Sequence, residues 1–197
     1  MTTPDRKAAA RAIEDFLRAI GRDPAADAEL AGTGARVADA YVDELCEGYA
    51  VDVGKLFAES AIAGSTDLVV VRAIAMTTMC PHHLLPASGV ARVAFAPKGK
   101  LVGIGTIVKL VDAFAHRLTL QETIGDEVAG AIVKHLGAAW AACRISMTHA
   151  CLVVRGERRH GARVETVALA GASDDATRAI AYRALGVGEA TSAEVDA

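Results

Sequence analysis

The chain has 197 residues, which is enough for one domain with a hydrophobic core and a short extension. Its formal net charge is -3, and lysine and arginine form no dense run, so the composition argues against a nucleic-acid-binding groove. Hydrophobic residues make up 52% of the sequence, yet no apolar run approaches the ~18 residues needed to span a bilayer. The charged, helical start does not resemble a secretory signal, and we therefore expect a cytoplasmic protein with no membrane partner.

The first third of the sequence favours helices. Apolar residues recur at spacings of three and four over residues 5–20, and Gly and Pro over residues 21–24 then break the pattern. A second helix is predicted over residues 34–47. We expect residues 1–60 to form a helical N-terminal segment.

The remainder of the chain mixes strand and helix patterns. β-branched runs and alternating apolar residues predict strands, whereas apolar spacings of three and four predict helices. Hairpins separated by helices are typical of an α+β fold in which an antiparallel sheet carries helices on one face. The predicted strands cover 68–76, 90–95, 101–104, 143–154 and 163–170, and the predicted helices cover 107–114, 120–140 and 176–185. We assign residues 61–186 to this catalytic domain and residues 187–197 to a flexible tail.

Cysteine and histidine residues concentrate in two short segments. Cys80, His82 and His83 lie in a proline-bounded loop, and His149 and Cys151 alternate within the strand predicted over 143–154, which would place both on one face. A catalytic zinc ion takes three protein ligands and leaves one position for water. The sequence therefore predicts a Zn²⁺ site formed by Cys80, His83 and Cys151, with His82 and His149 left for proton transfer.

The other two cysteines, Cys46 and Cys143, have apolar neighbours and are expected to be small buried residues. A residue pair and a single arginine each have two interpretations. Gln121 and Glu122 are either ordinary first-turn helix residues or a pair that binds an amidine-like edge such as that of guanine. Arg155 is either solvated at the end of a strand or placed to bind a phosphate.

Three separated segments, in this order, resemble the GTP cyclohydrolase I family. Residues 78–86 read Thr-Met-Cys-Pro-His-His-Leu-Leu-Pro and resemble the family's Ser/Thr-x-Cys-Glu-His-His-Leu-x-Pro. Residues 117–122 resemble its Arg-x-x-Val-Gln-Glu, and residues 149–156 resemble its His-x-Cys-x-x-x-Arg-Gly. A segment at 34–41 is similar to a Thr-Pro-x-Arg-Val-Ala-x-x-Tyr stretch, so the likeness extends over about residues 10–171.

This resemblance implies a fold and an assembly. Members of the family adopt the tunnelling fold, an antiparallel sheet with two helices on one face. Their subunits join their sheets into rings, and two rings stack into a decamer whose active sites lie between subunits. We therefore expect a ring-shaped homo-oligomer with shared active sites and a small-molecule purine substrate.

The resemblance also implies the reaction. Cys80, His83 and Cys151 match the family's zinc ligands, and the water activated there attacks C8 of guanine. His82 and His149 match the residues that move protons as the imidazole ring opens and formate leaves. The family's product is 7,8-dihydroneopterin triphosphate, which enters folate and pterin biosynthesis.

Substrate recognition is implied in the same way. Glu122, helped by Gln121, matches the residue that anchors the guanine edge, and Arg155 matches an arginine that binds the triphosphate. Lys109 stands where the family has a nearby arginine, which keeps the charge but loses the bidentate fork.

Other positions depart from the family pattern. The family's Gly-Leu-Ser-Lys segment reads Gly-Ile-Gly-Thr, so Gly105 replaces a serine and Thr106 replaces a lysine near the ribose and phosphates. Pro81 replaces the glutamate of the first motif. The metal and base-recognition residues are thus intact, while the phosphate region is altered.

The alteration leaves several alternatives open. Arg158, Arg159 or Arg163 could supply a relocated phosphate site. The protein could instead be a specialised paralogue that acts on a less phosphorylated or different purine or pterin precursor, or that stops after ring opening. A non-catalytic ring-forming binding protein and a zinc-free epimerase are further alternatives, which the retained ligands and histidines argue against.

Overall fold

The computed structural model describes residues 3–156, 158–171 and 174–188. The chain divides into two compact units, one up to Glu47 and the other from Gly48. The predicted domain limits near residues 60 and 186 stay predictions. Most of the predicted tail, from residue 189 onward, lies outside the described residues.

The first unit is helical, as the apolar spacing predicts. Helix α1 covers Arg6–Ala19 and begins at Asp5, whose carboxylate accepts a hydrogen bond from the backbone N–H of Ala8. Helix α2 covers Thr33–Ala40 and continues as a π-helical turn, Tyr41–Leu45, so the predicted helix over 34–47 is present but irregular at its end. The turn Ala28–Leu30 is a 3-10 helix, and a second 3-10 helix, Glu47–Ala50, begins at the last residue of this unit and ends in the next.

The second unit contains the sheet and the remaining helices. In chain order these are α3 (Val53–Ser60), β1 (Ala61–Ala63), β2 (Val69–Met79), β3 (Pro86–Ala96), β4 (Lys100–Val102), α4 (Ile104–Ala115), α5 (Gln121–Ala131), a π-helical turn (Ile132–Leu136), β5 (Trp140–His149), α6 (Ala150–Val153), β6 (Val164–Ala170) and α7 (Asp175–Ala184).

The main sheet has four antiparallel strands in the order β2-β3-β5-β6, and β1 pairs separately with β4. Helix α4 packs against β2, and α5 packs against β5 and β6. Leu110, Val128 and Ile145 are fully buried between these helices and the sheet. Burial of each such side chain stabilises the fold by roughly 1.5–3 kcal/mol, so this layer forms the main core. The predicted α+β class is confirmed, and α4 and α5 lie together on one face of the antiparallel sheet.

A second, smaller core lies on the other face of the sheet. Ala94 and Trp140 pack there against Ala181 and Leu185 of the α7 region. Arg144 is 5% exposed, and its guanidinium donates to both carboxylate oxygens of Glu165 at 2.6 and 2.9 Å and to the backbone carbonyl of Gly186. These contacts attach the C-terminal helix to the sheet.

The strand predicted over 143–154 is wrong at both of its ends. Strand β5 begins earlier, at Trp140, and ends at His149, so the structure contradicts the prediction that His149 and Cys151 share one strand face. The physical reason lies in the neighbouring strands. The β3–β5 ladder ends at the pair Ala87–His149, immediately after Pro86, which has no backbone N–H to donate. The chain therefore leaves the sheet and forms the single helical turn α6, which contains Cys151.

Other boundaries also move. The helix predicted over 120–140 ends at Leu136, because Gly137 adopts a left-handed conformation (φ 74°) that terminates it. Helix α4 begins at Ile104, so the strand predicted over 101–104 is shorter than expected. Across the described part of the chain, every helix is too short or too polar to cross a bilayer.

Candidate active site

The first ligand segment is a tight loop between β2 and β3. The backbone N–H of Leu84 donates to the carbonyl of Cys80 at 2.9 Å, and the N–H of Cys80 donates to the carbonyl of Leu85 at 2.9 Å. Leu84 has a φ of 51°, a left-handed conformation that costs a bulky residue on the order of 1–2 kcal/mol. This closed loop brings Cys80 and His83 to the same side, with Sγ of Cys80 3.8 Å from Nδ1 of His83.

The third predicted ligand reaches the loop through the sheet register. Because Ala87 of β3 pairs with His149 of β5, the loop that precedes β3 and the turn that follows β5 meet at one end of the sheet. The side-chain ligand atoms of Cys80, His83 and Cys151 accordingly lie within 4.8 Å of one another. The structure thus brings the three predicted ligands together, although Cys151 belongs to a helical turn.

This cluster fits zinc by donor type and by spacing. Two sulfur ligands of a tetrahedral zinc ion lie about 3.8 Å apart, since each Zn–S bond is about 2.3 Å. The observed separations therefore need shifts of roughly 1 Å to close around one ion. Burial raises the pKa of the Cys151 thiol, and the adjacent Cys80 raises it further, while Arg155 opposes the increase. A cation is the group that would stabilise both thiolates at this position.

Beside the cluster, His149 is held by Gln121. The ring Nε2 of His149 lies 2.8 Å from Oε1 of Gln121, the first residue of α5. Burial lowers the pKa of His149, and the charge of Glu122, which is exposed in the same helical turn, opposes that decrease. The structure therefore groups His149, Gln121 and Glu122 at the end of the sheet where Cys151 lies.

The family model of GTP cyclohydrolase I matches residues 9–185 of the chain. The GTP cyclohydrolase 1 of Chromobacterium violaceum is 40% identical over 169 residues, which cover 85% of this chain and 81% of that protein. The chain belongs to the GTP cyclohydrolase I family. The resemblance identified in the sequence motifs, with its tunnelling fold, is therefore confirmed, and the protein is an enzyme of the hydrolase class.

Two further similarities were found. The GTP cyclohydrolase 1 of Ralstonia nicotianae is 39% identical over 155 residues, which cover 79% of this chain and 74% of that protein. Among solved structures, an archaeosine synthase QueF-Like in the apo form has 20% identity and a TM-score of 0.47, over 56% of this chain and 100% of that chain.

Of the remaining candidate residues of this GTP cyclohydrolase I family member, His82 and Arg155 lie near the cluster, whereas Lys109 lies on α4. His82 is exposed, and its ring lies edge-on to that of His83 at a centroid distance of 6.3 Å. Arg155 is exposed and close enough to lower the pKa of Cys151. Lys109 is exposed on α4, and no contact recorded among the described residues joins it to the cluster.

The segment in which the sequence departs from the family pattern forms the first turn of α4. Gly105 is exposed, and a Cβ placed on it would meet no described atom within 4 Å. Thr106 is only 7% exposed, and its backbone N–H donates to the carbonyl of Gly103. The serine of the family would therefore fit at residue 105, whereas a lysine at residue 106 would have to leave a buried position.

The segment between α6 and β6 contains the other arginines considered for a phosphate site. Arg158 has a left-handed backbone (φ 48°), and Arg163 donates through Nε to the hydroxyl of Ser146 at 3.3 Å. The backbone N–H of Arg159 donates to the carbonyl of Leu152. These contacts connect the segment to β5 and to α6, next to the Cys151 turn.

Two features of the site were missed from the sequence. The left-handed backbone of Leu84 has no sequence signal, because leucine is a poor residue for that conformation. The internal partners of Gln121, which include the hydroxyl of Thr166 at 3.0 Å, lie in β5 and β6 at separations of 24 to 45 residues, and only the folded sheet reveals them.

Proposed function

We propose that the protein is a zinc-dependent GTP cyclohydrolase that hydrolyses the imidazole ring of GTP at C8, releases formate and forms 7,8-dihydroneopterin triphosphate. The observation that carries the proposal is the Cys80–His83–Cys151 cluster beside His149. Relatives named GTP cyclohydrolase 1, at 39–40% identity, support GTP as the substrate.

Cys80, His83 and Cys151 would hold the zinc ion. Zinc bound by three protein ligands supplies Lewis acidity that activates water at neutral pH. The donors come from the loop before β3 and from the turn after β5, so the ladder between these strands fixes their relative positions. Cys143 is not part of the site, because it is fully buried and its burial raises its pKa to about 12.

The other groups handle protons and the base. Release of C8 as formate breaks both C8–N bonds with two water molecules, so each ring nitrogen must gain a proton. His149, held against Gln121, and the exposed His82 are the proton carriers that we assign to these steps. The exposed carboxylate of Glu122 accepts the N–H groups of the guanine edge.

Arg155 binds the triphosphate. Lys109 of a neighbouring copy in the assembly supplies a second cation to the same phosphates. Several copies are expected because the outer edges of β2 and β6 have no strand partner within the described residues, and such edges pair readily with another chain. We therefore propose a closed ring of joined sheets, two of which form a decamer, in the cytoplasm.

A second candidate is a specialised paralogue that accepts a less phosphorylated purine or stops after ring opening. The observation that favours it is the first turn of α4, where Gly105 and Thr106 replace residues that the family places near the ribose and phosphates. A missing charge-assisted contact to phosphate removes roughly 1.5–3 kcal/mol of binding.

One experiment separates these candidates. Zinc-loaded protein is incubated with GTP, GMP, guanosine and guanine in turn, and formate and pterin fluorescence are measured. Formate with a fluorescent pterin from GTP supports the first candidate. Formate only from a less phosphorylated compound, or without a pterin, supports the second. Absence of both formate and any ring-opened formamide product from all four, with one zinc per chain, would contradict both.

Three variants test the residue roles. Cys151→Ala should lose zinc and all activity, whereas His149→Ala should keep zinc and lose turnover. Cys46→Ala serves as the matched thiol control, because Cys46 is a partly buried cysteine outside the cluster, and it should keep both zinc and activity. Full activity of His149→Ala would remove His149 from the mechanism.

A further inference from the structure

The side-chain amide of Gln121 is oriented by the two strands beneath it. Gln121 is 2% exposed, and its Nε2 lies 3.0 Å from the backbone carbonyls of Ile145 in β5 and Val164 in β6. Both carbonyl oxygens are acceptors only, so the NH₂ end of the amide must face them. The reverse orientation would place the amide oxygen against two other oxygens, and it is excluded by repulsion.

This orientation determines the protonation pattern of His149. With its NH₂ end fixed, Gln121 presents Oε1 to His149 at 2.8 Å from the ring Nε2. Because an amide oxygen can only accept, Nε2 of His149 must carry the hydrogen. The neutral ring then has its lone pair on Nδ1, and the hydrogen bond also limits rotation of the ring.

We propose that Gln121 is a positioning residue that acts through His149: its buried amide holds the ring in one orientation as the Nε2–H tautomer, so that the ring lone pair available for proton transfer is on Nδ1. The proposal rests on the assigned role of His149 in proton transfer. It differs from the sequence prediction that the side chain of Gln121 binds the guanine edge together with Glu122.

The buried position of the amide supports this reading over direct substrate contact. Its NH₂ group has acceptors in Ile145, Val164 and Thr166, and its oxygen is bonded to His149. A substrate group would have to displace one of these internal partners, and a buried acceptor left without a donor costs roughly 1–3 kcal/mol. Glu122, the next residue, is exposed and has no such obstacle.

A double-mutant cycle tests the proposal in zinc-loaded protein. Gln121→Met keeps a similar side-chain volume and removes the amide, so kcat for formate release should fall by at least about tenfold, with KM within about twofold. If Gln121 acts only through His149, Gln121→Met in the His149→Ala background should cause no further loss in single-turnover rates. Zinc affinity should not change in either variant.

Thr166→Val is the matched control. It removes one neighbour of the Gln121 amide but leaves the two carbonyl contacts and the bond to His149, so kcat should stay within about twofold of the unaltered protein. A rise in KM for Gln121→Met at constant kcat would show that the amide contacts substrate. A full additional loss in the double variant would show a purely structural role. Either result overturns the proposal.

A spectroscopic measurement on the unaltered chain decides the question even if Gln121→Met does not fold. Long-range ¹H–¹⁵N correlation of the histidine rings, with and without zinc, should show His149 with a protonated Nε2 and an unprotonated Nδ1. The opposite tautomer would overturn the proposal. Because this measurement needs no turnover, inactivity of the protein on GTP would count against the proposed function and leave the tautomer assignment intact.

Discussion

Gly105 offers a direct test of how the first turn of α4 contributes to substrate binding. It is the second residue of the helix, it is exposed, and a Cβ at this position would meet no described atom within 4 Å. Replacing a helical glycine where a side chain fits reduces the entropy of the unfolded chain and stabilises by about 0.4–1 kcal/mol. Gly105→Ser should therefore raise the thermal midpoint by about 1–4 °C at a fixed protein concentration.

The same substitution should affect binding of a triphosphate. The family pattern that the sequence resembles has a serine at this position, and no side chain among the described residues caps the helix at Gly103. If a phosphate lies against this turn, the new hydroxyl adds a hydrogen bond with a net value of about 0.5–1.5 kcal/mol. The KM for GTP should then fall by about two- to tenfold, since 1.4 kcal/mol corresponds to a factor of ten.

Gly130→Ser provides the matched control for both effects. Gly130 lies in α5, and a Cβ there also meets no described atom within 4 Å, so the stability gain should be similar. Only Gly105→Ser should change KM, which is measured by formate release from GTP alongside thermal unfolding. A loss of stability in Gly105→Ser would refute the described helix start, and an unchanged KM would place the phosphates elsewhere.

Two further predictions concern thiol chemistry and the attachment of α7. In zinc-free native protein, an alkylating reagent should modify Cys80 and Cys151, and added zinc should protect both. Buried Cys143 should stay unmodified in either case. Detection of labelled Cys143 by mass spectrometry would contradict the described core. Arg144→Met should lower the free energy of unfolding in urea by about 2–3 kcal/mol. The loss stays below that of a fully buried pair because the Glu165 side chain is 38% exposed and regains water, and a change within about 0.5 kcal/mol would refute the structural role of this contact.

The grouping of Cys80, His83 and Cys151 could be predicted from the sequence because the donor types and local spacings that suit a metal are few. The place of Cys151 could not be predicted, since the alternating pattern continues past His149 in the sequence. A strand ends where its partner ends, and here the partner β3 begins at Pro86, far away in the chain. The end of β5 is therefore a property of the sheet, and a reading of one segment alone cannot locate it.

The role proposed for Gln121 could not be predicted from the sequence for a related reason. A residue in the first turn of a helix looks the same in sequence whether it faces solvent or a sheet. Its burial depends on how α5 packs across β5 and β6, and its partners Ile145 and Val164 are backbone groups that any residue would supply. Helix and strand periodicity predicted the α+β class, but the orientation of one amide follows only from packing.

The two halves of the site differ in how strongly the fold constrains them. The β3–β5 ladder and the closed loop before β3 fix the positions of Cys80 and Cys151. A change in the ladder or in the loop would therefore move the side chains of the cluster out of reach of a common metal ion. The first turn of α4 has free space at Gly105, where side chains can be exchanged at little cost in stability. On the proposed function, a tunnelling-fold enzyme can therefore alter its phosphate contacts while the proposed metal ligands and proton-transfer groups stay fixed. The substitutions at Gly105 and Thr106 follow that division, and the proposed function therefore makes substrate phosphorylation the property most open to change in this protein.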